Sequence, residues 1–193
     1  DKIDGIVCNN RRMSEDIRQM VDMFCPYFKG SVEFYDNEED IYDYFGIGED
    51  IGSIYNPRVE LRSGGFLVIE KTEALTAIDV NTGKFLGTDN REDTVYRTNL
   101  EAVREIARQL RLRNIGGIIV VDFIDMTDEE HKVSVVEALK NELFFDRVKT
   151  RVLDMSGLGL VEITRKKVGQ TLGSVSQNKC PYCGGTGFLL VDA

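Results

Sequence analysis

Two stretches of this chain run apolar residues straight into an aspartate. Ala74 to Val80 (ALTAIDV) carries Asp79, and Ile118 to Met126 (IIVVDFIDM) carries Asp122. Short apolar runs bounded by turn residues predict buried strands. Phe66 to Ile69 predicts a third strand, joined to the Asp79 strand by a hairpin through Lys71 to Glu73, with Asn81-Thr82-Gly83 turning the chain back. Between the two aspartate strands, Leu100, Val103, Ile106, Ala107 and Leu110 repeat at helical spacing and predict a helix over 92–113 with one side on the sheet. A strand, helix, strand passage of this kind is expected to be a right-handed crossover between parallel strands, which puts both strand ends on one edge.

Downstream, Thr127 and the acidic residues after it open a helix to about Phe144, with Val133, Val136, Leu139 and Leu143 inward. Val148 to Met155 and Leu158 to Thr164 read as strands around Ser156-Gly157, with Lys149, Arg151, Glu162 and Thr164 on a polar face. Upstream, Gly5 to Cys8 is a short apolar run. A helix is expected from Ser14, with Ile17, Met20, Val21 and Phe24 at helical spacing until Pro26. Ser31 to Tyr35 alternates as a strand, Ile41, Tyr44 and Phe45 fit a short helix stopped by Gly46, and a further short helix is expected within Asp50 to Tyr55. The turn Arg62-Ser63-Gly64-Gly65 marks a boundary. The expected class is α/β (mixed α+β), with a smaller unit over 1–62 and a larger one after it.

Composition adds less. With 193 residues, 42% of them hydrophobic, the chain can build a sizeable core. No apolar run approaches the roughly 20 residues of a bilayer span, no signal peptide opens the chain, and a cytoplasmic location is expected. Asp1 in place of Met reads as a piece of something longer. The net charge of −9 is concentrated at the start: residues 1 to 60 hold 14 acidic and 6 basic residues. By contrast, residues 147–169 carry Arg147, Lys149, Arg151, Arg165, Lys166 and Lys167 against Asp154 and Glu162. That run fits a phosphate-tracking surface and fits a solvated charged face as well.

Candidate chemistry narrows by elimination. The single histidine, His131, sits in a charged helical first turn and is expected to face solvent; no Gly-x-Ser-x-Gly elbow and no Walker-type loop is present. Side by side, Asp79 and Asp122 would suit a hard cation that takes one or two carboxylates and keeps water or phosphate elsewhere. Aspartates that merely cap neighbouring turns are the other reading. Asn81 shares the direction of Asp79 on an extended chain. Asp125, three residues past Asp122, reads as a supporting or turn residue, and Glu73 as a loop carboxylate. Cys8 and Cys25 read as buried thiols. Cys180 and Cys183, in CPYCGGTG, form a knuckle that can aim two thiolates at one metal, and four ligands are the norm for structural zinc.

Three strings, GGFLVIEKTEALTAIDVNTGKF (64–85), TNLEAVREIARQLRLRNIGGIIVVDFIDM (98–126) and CPYCGGTG (180–187), resemble the catalytic core of the ribonuclease E/G family. The resemblance implies a partial ribonuclease-H-like subdomain over 1–62, a DNase-I-like mixed-sheet catalytic subdomain over 63–175 and a zinc-link segment over 176–193. It implies that Asp79 and Asp122 bind Mg²⁺, that Asn81 supports them, and that Cys180 and Cys183 share Zn²⁺ with a second copy of the chain. The implied activity is endonucleolytic hydrolysis of single-stranded RNA, leaving 5′-phosphate and 3′-hydroxyl ends, with Lys149, Arg151, Arg165, Lys166 and Lys167 as candidate RNA contacts. The family's S1-type RNA-binding domain and 5′-end sensor lie outside the matched residues. A non-catalytic, zinc-linked scaffold is the alternative from another class, and metal-dependent cleavage of DNA a third.

Overall fold

A computed structural model describes residues 3–83, 91–171, 177–178, 180–185 and 187–188. The chain divides into two compact units, Asp1–Gly52 and Ser53–Ala193. The division falls ten residues before the turn at 62 that was expected to mark it. The reason is a short strand that periodicity did not reveal: β3 (Arg58–Glu60) pairs antiparallel with β4 (Phe66–Lys71), which ties residues 53–62 to the larger unit.

In the first unit β1 (Gly5–Cys8) and β2 (Ser31–Phe34) are parallel and joined by α1 (Arg11–Phe24), an α/β unit as expected. The helix begins before Ser14, because the Asn10 side chain accepts from Met13 N at 3.0 Å and caps it; Ser14 is buried inside, its hydroxyl donating to Arg11 O. Two four-residue strands cover little of the helix, and Met20 and Phe24 are exposed in place of packing inward. Cys8 is half-buried and Cys25 exposed, so neither is the buried thiol expected. Two short helices, α2 (Ile41–Tyr44) and α3 (Gly48–Ser53), follow.

The second unit is a mixed six-stranded sheet with strand order β3-β4-β5-β6-β8-β7. β5 (Leu75–Asn81) pairs antiparallel with β4 and parallel with β6 (Gly117–Asp122). α4 (Arg91–Leu112) joins β5 to β6, the connection that a parallel pair requires. β8 (Leu160–Arg165) pairs antiparallel with β6 and with the edge strand β7 (Thr150–Val152). One sheet face is closed. Leu67, Ile69, Ile78, Val80, Ile119, Val121, Val161 and Ile163 alternate inward and join Val103, Ile106 and Leu110 of α4 and Val135, Val136, Leu139 and Leu143 of α5 (Glu129–Phe144) in one core. Val133, expected inward, is exposed, and Val135 takes its place. The strand expected to reach Met126 ends at Asp122.

Candidate metal centre and its surroundings

The alternation that buries Ile78 and Val80 turns Asp79 and Asn81 to the other, open face of the sheet. The same alternation in β6 buries Val121 and turns out Asp122. Because β5 and β6 are parallel and in register, Asp79 and Asp122 are direct partners at the carboxyl ends of neighbouring strands. Asn81 Nδ2 donates to Asp79 Oδ2 at 2.7 Å and fixes that carboxylate's orientation. Among the described residues, no lysine or arginine pairs with Asp79 or Asp122. Desolvation, the negative charge of Asp79 and that of Asp125 together push the Asp122 carboxyl above its ordinary value. Among the described residues, like charges are gathered here with no cation paired to them.

That arrangement fits a hard divalent cation. The donors are carboxylate oxygens and an amide orients one of them; among the described residues there is no group of three or more His, Cys, Asp or Glu that could hold an ion on its own. Two carboxylates with remaining positions left to water or phosphate are what Mg²⁺ uses.

Three side chains of α4 fasten the loops around this edge. Asn99 is fully buried and exchanges two hydrogen bonds with the Ile124 backbone. Glu92 accepts from Thr127 N, the Thr127 hydroxyl and Asp128 N, bonds that hold its carboxyl below the usual range. Glu101 accepts from Arg62 N and Ser63 N in the β3–β4 turn. That turn lies against the one after β5: Gly83 has φ of +63°, and a Cβ there would strike Gly64 O. Sequence reasoning missed these three residues. For Asn99 the signal was a polar residue on the apolar stripe of Val95, Ala102, Val103 and Ile106.

His131 is not the solvent-facing group expected. It is half-buried, stacks on Tyr96 with ring centroids 4.1 Å apart, and has Nδ1 3.5 Å from Glu92 Oε1. Asp125 is exposed at the site edge, and Glu73 is an exposed loop residue.

The basic residues stand elsewhere. Gly117, at the start of β6, pairs with Arg165, at the end of β8, so this basic run lies at the sheet edge opposite Asp122. Five residue steps of β6 amount to about 17 Å. Lys149, Arg151, Lys166 and Lys167 are exposed there, and Lys166 N donates to Lys149 O. Arg165 is not among them. Its side chain is 3% exposed and forks onto Asp146, from Nε to Oδ2 at 2.8 Å and from Nη2 to Oδ1 at 3.2 Å, so it cannot face RNA. Arg113, just past the end of α4, is likewise buried and donates to Gln109 and to Asn56 O.

In the knuckle, Gly184 N donates to Cys180 O at 2.9 Å, and Gly187, at φ of +78°, donates its N–H to Cys183 Sγ at 3.4 Å. An amide aimed at a cysteine sulfur suits a thiolate, and two cysteines make half of a tetrahedral zinc set.

The family profile of the ribonuclease E/G family matches residues 1–168, which include Asp79, Asn81 and Asp122 and stop before the cysteine pair. Ribonuclease G of Escherichia coli (strain K12) is 44% identical over 188 residues, covering 97% of this chain and 38% of that protein. Ribonuclease G of Haemophilus influenzae is 44% identical over 172 residues, with 89% of this chain and 35% of that protein covered. Ribonuclease E of a Synechocystis species is 47% identical over 150 residues, with 78% and 22% covered. The chain therefore spans well under half the length of these relatives.

Proposed function

Since this chain belongs to the ribonuclease E/G family, we propose that it is the catalytic portion of a Mg²⁺-dependent endoribonuclease. It would hydrolyse single-stranded RNA to 5′-phosphate and 3′-hydroxyl ends. The observation that carries this reading is the in-register, uncompensated pair Asp79 and Asp122 on the open sheet face. Asp79 and Asp122 would hold the ion, and Asn81, which donates to Asp79 Oδ2, would orient that carboxylate as a ligand. When bound, Mg²⁺ supplies Lewis acidity to a phosphate and lowers the pKa of water. The chain's own contribution is position. Register sets the two carboxylates side by side, the α4 side chains hold the flanking loops, and the open face leaves room for an extended strand of RNA.

Lys149, Arg151, Lys166 and Lys167 supply phosphate contacts away from the reacting bond, which steer binding without reading sequence. Cys180 and Cys183 supply half of a Zn²⁺ site completed by a second copy. The chain works in the cytoplasm in this reading, and among the described residues no helix is long and apolar enough to cross a membrane. A scaffold role would leave the like-charged carboxylate pair without a use.

The test is cleavage of a 5′-labelled single-stranded RNA with and without Mg²⁺, comparing the parent with Asp79→Asn and Asp122→Asn and identifying the new ends. Mg²⁺-dependent cutting lost in both variants is expected. A parent that cuts as well with either change has its metal site elsewhere.

A further inference from the structure

Asp122 is the last residue of β6, and residues 123–126 beyond it belong to no helix or strand. Phe123 and Met126 are nevertheless buried, so this segment needs partners for its backbone. One comes from Asn99. Its side chain is fully buried, Nδ2 donates to Ile124 O at 2.9 Å, and Oδ1 accepts from Ile124 N at 3.1 Å. A residue on a neighbouring antiparallel strand would offer the same donor and acceptor. The carboxamide thus takes the place of a missing strand two residues past Asp122.

We infer that Asn99 is a positioning residue for the reaction: through Ile124 it fixes the end of β6 so that the Asp122 carboxylate stands beside Asp79. It touches neither metal nor RNA. The inference rests on reading Asp79 and Asp122 as the metal site. A buried amide with both bonds to one residue holds that residue in one place, because any slip leaves polar groups unsatisfied. Gln109 is the comparison within the same helix. It is equally buried, and its side chain donates to Glu105 and accepts from Arg113 Nε, bonds that run along α4 to the residue just after it and away from Ile124 and Asp122.

The experiment compares Asn99→Leu, Asn99→Asp, Gln109→Leu and Asp122→Asn in the 193-residue chain. Mn²⁺ affinity is read by electron paramagnetic resonance without RNA, and kcat and KM from Mg²⁺-dependent cleavage of a short single-stranded RNA. Both are measured at a temperature where circular dichroism shows every variant folded. Asn99→Leu is expected to weaken Mn²⁺ binding about tenfold and to lower kcat by about as much or more, the range for residues that orient metal ligands, with KM little changed. Gln109→Leu should lower the thermal midpoint and leave Mn²⁺ affinity and kcat alone. Asn99→Asp keeps the acceptor for Ile124 N and loses the donor to Ile124 O. It should fall between, and it carries the test where the leucine variant does not fold. If the Asn99 variants bind Mn²⁺ and turn over like Gln109→Leu, the inference is overturned. Mn²⁺ affinity unchanged in Asp122→Asn would instead overturn the metal site itself.

Discussion

The two ends of β6 and β8 put aspartates into opposite circumstances. At one end, the Asp146 side chain is 2% exposed and receives a two-pronged Arg165 guanidinium and the Val148 N–H, while Arg165 also donates to Ile115 O. Burial alone would raise the Asp146 carboxyl, but the Arg165 and Val148 hydrogen bonds and the charges of Arg165 and Arg111 outweigh it and hold it below its ordinary value. At the other end Asp122 is exposed, pairs in register with Asp79 with no lysine or arginine bound to either among the described residues, and is pushed up by desolvation and by its acidic neighbours. The same side chain serves stability where its charge is matched and is available for chemistry where it is not. A fold that neutralised both ends would leave no unpaired carboxylates for the proposed cation.

The sharpest way to break this contrast is to neutralise each end in turn. Asp79→Asn or Asp122→Asn should cost cleavage roughly a thousand-fold, taking about 4 kcal/mol for lost charge stabilisation at 1.36 kcal/mol per decade. The thermal midpoint of either variant, measured with chelator present, should not fall, because a repulsion has been removed. A large drop in stability would show that these carboxylates hold the fold together. Asp146→Asn should do the reverse. It strands the buried Arg165 guanidinium, and breaking such a pair from one side costs about 3–5 kcal/mol. Chemical denaturation would read that loss, while any cleavage by the folded fraction should keep its Mg²⁺ dependence.

Acid separates the two ends more gently. Asp146 has a folded pKa below its unfolded one, so its stabilisation is complete above the ordinary aspartate value of about 4 and is lost as pH falls through the depressed folded value. Midpoints measured from neutral pH downward should therefore fall more steeply in the parent than in Asp146→Asn. Equal slopes would mean that Asp146 is not the group being titrated.

The side-by-side placement of Asp79 and Asp122 was legible in the sequence because strand periodicity and the β5–α4–β6 connection are local signals. Two apolar runs ending in aspartate, joined by a long amphipathic helix, leave few topologies. The Asp146–Arg165 pair was not legible. Arg165 sits in a run with Lys166 and Lys167 and reads as one more surface cation, and only the inward alternation of Val161, Ile163 and Arg165 on β8 separates it from them. β3 was missed for a related reason: three residues carry too little pattern, and its strand character comes from pairing with β4. In the first unit the helical period was right and the expected burial of Cys8 and Cys25 was not met; a helical period marks an apolar face without saying what covers it.

Lys166, one residue beyond Arg165, supplies the smallest and most discriminating prediction. Alternation turns Arg165 in and leaves Lys166 exposed, next to Lys149 through the Lys166 N to Lys149 O bond. If this edge tracks phosphates, Lys166→Ala and Lys149→Ala should each weaken single-stranded RNA binding by a similar factor whatever the sequence. Each should also flatten the slope of log affinity against log salt by about 0.7. Folding stability should move little, because both side chains are exposed. Arg165→Ala should lower stability severely, and its folded fraction should keep the parent's salt slope. A flattened slope in Arg165→Ala without loss of stability, or unchanged slopes in both lysine variants, would erase the distinction between the buried and the exposed cations on which this reading of the edge depends.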